Sequence, residues 1–313
     1  MVQSIKVAFQ GEPGAFSEEA VIAYFGPAGA AGPADGADAA DGADAADGAD
    51  AAVAAAPDRQ AFPTWRAVFE AVRDGTVDAG VVAIESSLAG SIRETYDLLS
   101  EFYDAGIRIV GEVSIPVRLA LVALPGHSLD WIERVYSHAQ ALAQADEFLR
   151  TRDWQVMTTY NTAGAARMIA ENRERHAAAV ASPRVADLYG LEVLAADIQT
   201  GANNRTRFAV LGREGSVESS PPPGPGPRKT TLVFAVRNVP GSLNRCLGAF
   251  ASRGVNLSRL ESRPARTARW EYVFWVDVDA DATERACAAA LAQLRTEAEM
   301  VRVLGSYPRT GED

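Results

Sequence analysis

Gly201-Ala202-Asn203-Asn204-Arg205-Thr206-Arg207-Phe208-Ala209-Val210-Leu211 is a polar, turn-prone run that feeds directly into an apolar one. Glycine and asparagine favour tight loops, and Phe208 to Leu211 reads as a short buried strand. Thr206 and Arg207 are therefore expected where a loop enters a sheet. Side chains at such a place are held rigidly while still facing a cleft. Taken alone, the junction is most simply structural. Its weight comes from several similar junctions upstream.

Ile5 to Gln10 reads as a strand, Gly11-Glu12-Pro13-Gly14 as a turn, and Ser17 as the opening of a helix with Glu18 and Glu19 in its first turn. Acidic residues there complement the helix dipole. A Gly-rich turn into a helix N-terminus is either an anion site or a plain βα turn. Asp78 to Ile84 is a buried strand ending in Glu85-Ser86-Ser87. Glu133 to Tyr136 leads to Ser137-His138 and a helix from Ala139 to Arg150; Gln155 to Tyr160 leads to Asn161-Thr162 and a helix from Ala163 to Asn172. Ala177 to Ala181 leads to Ser182-Pro183 and a helix through Tyr189. This alternation predicts α/β architecture with mainly parallel strands, and a crossing between two lobes near Pro116. Ligands of such sheets bind beyond the carboxyl ends of the strands. Ser17, Ser86, Ser87, Ser137, Thr162 and Ser182 all fall there. Each singly reads as a helix cap, but together they make a hydroxyl-rich, anion-receptive pocket.

The chain has 313 residues and a formal charge of −11, which argues against nucleic acid as partner. Asp35, Asp38, Asp41, Asp44, Asp47 and Asp50 all lie in one Asp-Gly-Ala-Asp-Ala-Ala repeat, so the remaining surface is only mildly acidic. That tract, within about 26–57, is too poor in large apolar groups to build a core and is expected to be a disordered loop. It also lacks the β-branched position of calcium-binding repeats. Three histidines and two cysteines stand at no ligand spacing, so no metal is expected. His127 and His176 are expected at the surface. No apolar run is long enough to cross a bilayer, and Met1 to Lys6 lacks the features of a signal peptide. With Cys246 and Cys287 as reduced thiols, a cytoplasmic protein is expected. Lys6 and Lys229 are the only lysines among 30 basic residues.

Ser219 to Pro227 is a proline-stiffened linker. Beyond it, strands at Thr230–Arg237, Val255–Ser262, Glu271–Val278 and Val301–Tyr307 enclose helices at Ser242–Arg253 and Thr283–Glu299. The order βαββαβ is that of a ferredoxin-like small domain.

Gly11-Glu12-Pro13-Gly14-Ala15-Phe16-Ser17, Tyr136-Ser137-His138-Ala139-Gln140-Ala141-Leu142-Ala143-Gln144, Asn204-Arg205-Thr206-Arg207-Phe208 and Leu260-Glu261-Ser262-Arg263-Pro264 together resemble the motifs of prephenate dehydratases carrying a C-terminal ACT regulatory domain. The resemblance implies a catalytic region at 4–212 built as two lobes like type II periplasmic binding proteins. It implies a linker at 213–229 and a ferredoxin-like ACT domain at 230–308. It implies decarboxylating dehydration of prephenate to phenylpyruvate, with no cofactor. It places Thr206 as the essential catalytic position, with Ser137, Gln144, Glu85, Ser86 and Arg207 beside it. Gly14, Ala15, Phe16, Ser17, Ser87, Thr162, Asn204 and Phe208 are expected around the substrate. L-Phenylalanine is the expected inhibitor, held by Val239, Pro240, Gly241, Ser242 and Leu243 with Leu260, Glu261, Ser262, Arg263 and Pro264 at the interface of a homodimer or homotetramer. The other reading of Asn238 to Leu243 is a simple strand–helix turn.

Ser86 departs from the family pattern, standing where an asparagine is usual; it is shorter and offers one donor instead of two. Ala139 stands for a common proline and Ser242 for a common alanine. Aromatisation drives the implied reaction, so the protein must supply orientation and a hydrogen bond to the departing hydroxide. The Thr206 hydroxyl suits a donor or proton relay. Arg207 either binds a carboxylate or braces the loop against Glu85, and the brace is the favoured reading. His138, at a helix start where the dipole disfavours its charge, is a poor general acid. Arogenate dehydratase is a close rival. A decarboxylase that retains the hydroxyl is disfavoured by the intact Thr206-Arg207-Phe208, and a catalytically weak phenylalanine sensor is the third reading.

Overall fold

A computed structural model describes residues 4–26, 56–201, 203–215, 226–264 and 272–309. The Asp-rich tract and most of the proline-rich linker fall outside them. The first lobe begins with β1 (Lys6–Gln10), α1 (Phe16–Phe25), β2 (Asp58–Phe62), α2 (Trp65–Arg73) and β3 (Ala79–Ser86). It continues through β4 (Gly90–Ser91), α3 (Arg93–Glu101) and β5 (Ile107–Pro116). The second lobe holds β6 (Ala120–Ala123), β7 (Arg134–Ser137), α4 (Ala139–Gln144), α5 (Asp146–Leu149) and β8 (Gln155–Thr158). It closes with α6 (Thr162–Asn172), β9 (Ala177–Ala181), α7 (Arg184–Tyr189) and β10 (Glu192–Ala195). The chain then returns to the first lobe as β11 (Arg205–Arg213).

The two lobe sheets share one plan. The first runs β2-β1-β3-β11-β5 and the second β10-β6-β9-β7-β8. In each, the strand arriving from the other lobe inserts antiparallel beside a parallel set: β11 between β3 and β5, β6 between β9 and β10. This is the twice-crossed arrangement expected of type II lobes. The main strands of each sheet run parallel as expected, except the inserted one, which runs against the rest because it enters from the opposite lobe. The two crossings touch where Val117 N donates to Asn204 O at 2.7 Å.

Several local expectations shift for identifiable reasons. β11 starts at Arg205, so Thr206 and Arg207 lie inside the sheet, opposite Ser86 and Glu85 of β3. The predicted 139–150 helix breaks at Ala145 into two short pieces. β2 and β10 escaped the sequence reading because both are partly exposed edge strands without strict apolar alternation. Thr64 caps α2, accepting from Ala67 N. Asn161, rather than Thr162, caps α6.

The C-terminal unit comprises β12 (Arg228–Ala235), α8 (Ser242–Ala251), β13 (Leu257–Pro264), β14 (Tyr272–Val278), α9 (Arg285–Glu297) and β15 (Met300–Pro308). Its antiparallel sheet runs β13-β14-β12-β15, the order of a βαββαβ fold. Alternate residues divide its work. Leu232, Phe234, Phe274 and Val276 meet the helices that carry buried Cys246 and Cys287. Val233, Trp275, Leu304 and Tyr307 face the other way, into one core with Tyr96, Ile107, Ile109 and Leu211 of the first lobe. The Tyr96 and Trp275 rings meet edge-on, centroids 4.7 Å apart. A Cβ at Gly305 of β15 would collide with the Ile109 carbonyl of β5, so bare backbone is required at this approach.

Candidate active site

The site grows from the register of β11. A register shift between Arg207 and Phe208 lets Arg207 pair with Glu85, and Thr206 with Ser86 and Ile115. Arg207 reaches the face covered by the C-terminal unit. There its Nη2 binds Glu85, and Asp277 lies 3.5 Å away. Strand alternation turns Thr206 to the opposite face, the one on which α1 packs. The favoured brace between Arg207 and Glu85 is thus present. Burial opposes the Arg207 charge, but Asp277, Glu112 and Glu85 outweigh it and raise its pKa.

Thr206 is half-buried. Two residues away, Asn204 is 2% exposed and its side-chain Oδ1 and Nδ2 are both buried without a partner. A buried amide left unpaired is costly unless something else meets it. Ser87 holds the loop in place: its Oγ donates to Asn203 O and accepts from Arg205 N at 2.9 Å. Buried Ser86 accepts from Leu88 N and Ala89 N at 3.4 and 3.3 Å, so its hydroxyl shapes the turn after β3. From the second lobe, the Gln144 carbonyl accepts from Thr200 N at 2.8 Å, which sets Gln144 against the returning segment.

Other expected site residues take structural places. Ser137, expected in the cleft, is wholly buried and donates to Val180 O at 2.5 Å, tying β7 to β9. Phe208, expected at the substrate and at the head of a buried strand, packs with Val81, Ala83, Val113 and Val210. Gly14, Ala15, Phe16 and Ser17 lie between the lobes. The Gly14 amide, expected to receive an anion, is taken by Glu18 Oε2 at 2.8 Å. Ala15 joins the second-lobe core and Phe16 touches the cores of both lobes. Gly14 has φ +88, and a Cβ there would lie 2.8 Å from Val185 Cγ1 of α7. Sequence reading missed the surrounding latch. Glu18 meets Arg184 at 3.3 Å, Tyr189 OH donates to Pro13 O at 2.6 Å, and Ser182 donates to Glu19. Burial pushes the Glu19 carboxyl up, against the opposing pull of Ser182 and Arg184. Thr162 stands in the first turn of α6. His138 accepts from Gln140 N as the cap of α4, a structural task.

On the C-terminal unit, Val239 and Leu260 are exposed, Ser242 is buried and Gly241 has φ +81. β13 splits the expected sensing motif. Glu261 and Arg263 point to the catalytic region, where they meet Ser91 and Asp97 at 2.5 and 3.2 Å. Leu260 and Ser262 lie on the alternate, exposed face. Among the described residues, no group of histidine, cysteine, aspartate or glutamate is arranged to hold a metal.

The family model described as prephenate dehydratase matches residues 7–216, and that described as the ACT domain matches residues 230–296. The chain belongs to the prephenate dehydratase family. It is a dehydratase of the lyase class, with a C-terminal ACT domain. Arogenate dehydratase 1 of Petunia hybrida is 39% identical over 97% of this chain and 67% of its own length. The prephenate dehydratase of Arthrobacter aurescens, solved in complex with L-Phe, is 32% identical with a TM-score of 0.79 over 97% of this chain and 90% of its own. A structure described as GqqA, a novel type of quorum quenching acylase, is also 32% identical, with a TM-score of 0.77 over 97% of this chain and 98% of its own.

Proposed function

We propose that this prephenate dehydratase family member converts prephenate to phenylpyruvate, with the Thr206 hydroxyl assisting hydroxide departure. The ring–carboxylate bond breaks and carbon dioxide leaves. Its electron pair enters the ring, and the ring carbon–oxygen bond breaks at the far end. Hydroxide takes up one proton and leaves as water. Thr206 supplies the hydrogen bond that stabilises the departing oxygen and relays that proton from solvent. The Asn204 amide binds a substrate oxygen from its buried position, and Gln144 closes the site from the second lobe. Glu85 and Arg207 neutralise one another behind the strand, so Arg207 does not hold the carboxylate that must leave.

The observation that carries this reading is the orphan Asn204 amide, buried two residues from the half-buried Thr206. A hydrogen-bonding ligand at this place satisfies what the protein leaves open. The arogenate reading rests on the 39% identity to a petunia arogenate dehydratase. Incubating the purified chain with each substrate and identifying the product decides between them. Phenylpyruvate from prephenate supports the reading. Phenylalanine formed from arogenate alone supports the rival, a non-aromatic keto acid a decarboxylase, and no turnover a sensor.

The same reading includes inhibition by L-phenylalanine at the ACT domain, a homodimer or homotetramer, and cytoplasmic placement. Two buried free thiols, Cys287 pushed up to about 11 chiefly by burial, fit a reducing compartment. The division into 4–212, 213–229 and 230–308 also belongs to the proposal. Limited proteolysis that releases a C-terminal fragment by cutting within 213–229 supports it.

A further inference from the structure

The face of β11 behind Thr206 carries more charge than a strand brace needs. Glu112 of β5 is 6% exposed, and Lys229 and Asp277 of the ACT sheet are 3% and 4% exposed. Lys229 Nζ lies 2.5 Å from Glu112 and 3.6 Å from Asp277. Arg207 meets Asp277 at 3.5 Å and Glu112 at 4.0 Å, besides its bond to Glu85. Thr231 donates to Asp277 at 2.7 Å and fixes that carboxylate. From β13, Arg259 stands 3.8 Å from Glu85 and 2.8 Å from Glu261, binds Ser91 Oγ at 2.5 Å, and also reaches the Tyr96 hydroxyl. Each carboxylate of the catalytic lobe in this network is thus held partly by a cation of the ACT sheet.

We propose that Asp277 and Arg259 are positioning residues for the dehydration: they hold the Glu85–Arg207 pair from the ACT side and thereby fix β11 at Thr206. This rests on the catalytic role of Thr206 proposed above. Arg207 is the next residue to Thr206, and its Nε is buried without a hydrogen-bond partner. Its orientation depends on the carboxylates at its terminal nitrogens, which come from both units. Removing Asp277 or Arg259 shifts Glu85 and Arg207 toward whichever partners remain. A strand displacement well under 1 Å is enough to spoil a transition-state hydrogen bond. The arrangement also gives a regulatory strand and a catalytic strand one shared cation, since Arg259 touches Glu261 and Glu85 together.

A network of this kind can also be plain domain glue, so the test needs an interface control. Arg302 of β15 provides it: it binds Ser100 O and Asp104, both at 2.8 Å, and touches neither Glu85 nor Arg207. Steady-state kinetics on whichever substrate the full-length wild type turns over should be compared for Asp277→Asn, Arg259→Gln, Arg259→Lys and Arg302→Gln. The expected result is a fall of about tenfold in kcat for the first two, with KM changed less than about twofold. Arg259→Lys regains most of the rate, and Arg302→Gln matches wild type. Should Asp277→Asn not fold, Arg259→Gln, on an edge strand, carries the test alone. Unchanged kcat in Arg259→Gln, or an equal fall in Arg302→Gln, overturns the inference and leaves the functional reading standing. A folded wild type inactive on both prephenate and arogenate overturns the functional reading itself, and this inference with it.

Discussion

Asn204 holds two buried polar atoms that no described residue satisfies. If those atoms served folding alone, an apolar replacement would be neutral or stabilising, since an unmet buried amide already costs about 1–3 kcal/mol. The account predicts a split outcome for Asn204→Ala. Thermal stability stays at or above wild type, while kcat/KM falls about tenfold or more. Denaturation curves and kinetics on one preparation measure both, and unchanged kinetics would remove Asn204 from the site. Ser86 poses the converse case. Its hydroxyl is engaged with two backbone amides of the turn, and an asparagine oxygen can take over that task. The remaining amide group then adds a donor beside Thr206. Ser86→Asn is expected to raise kcat by a few-fold, up to the roughly tenfold scale of one neutral hydrogen bond. An equal or lower rate contradicts this.

At the scale of elements, the sequence reading found strands β1, β3, β7, β8, β9 and β11, and helices α1, α6, α7, α8 and α9. It placed the crossing near Pro116 because proline ends a strand cleanly. It could not see that Thr206 lies within a strand, since a polar run carries no strand signature of its own; pairing on both sides by β3 and β5 imposes it. Likewise the bond from Ser137 to Val180 was not legible, because motif position reveals neighbours in sequence, not the face on which a side chain lands. The Glu85–Arg207 pair was legible because opposite charges flank a strand end. Its partners Asp277 and Arg259 were not, being remote in sequence. The turn from β14 to α9 yields a prediction of its own. Burial works to raise the Asp281 carboxyl, but hydrogen bonds from Thr283, then Arg228 and Ser306, hold it at about 2. A folded pKa below the unfolded value of about 3.9 gives stability that is present above pH ~4 and lost as pH falls toward 2. Asp281→Asn should therefore unfold with a weaker pH dependence in that window. Acid titration followed by circular dichroism measures this, and identical acid curves would contradict it.

At the scale of the whole molecule, the catalytic lobe and the ACT sheet share one apolar core and one buried charge network, so neither unit is an appendage of the other. The backbones of the two approach closely at Gly305, against Ile109. Gly305→Ala must lift β15 off β5, and its expected cost is about 1–3 kcal/mol with a loss of turnover. Urea unfolding compared with wild type measures it, and a neutral substitution would show the contact to be looser than described. The account as a whole depends on one hydroxyl at the end of β11. The most direct measurement is prephenate turnover by the full chain carrying Thr206→Ala and, in parallel, Thr206→Ser, each checked for native stability. The account predicts that the alanine variant loses ~10²–10³ in kcat while the serine variant keeps most of it. Wild-type turnover by a folded Thr206→Ala protein would contradict it.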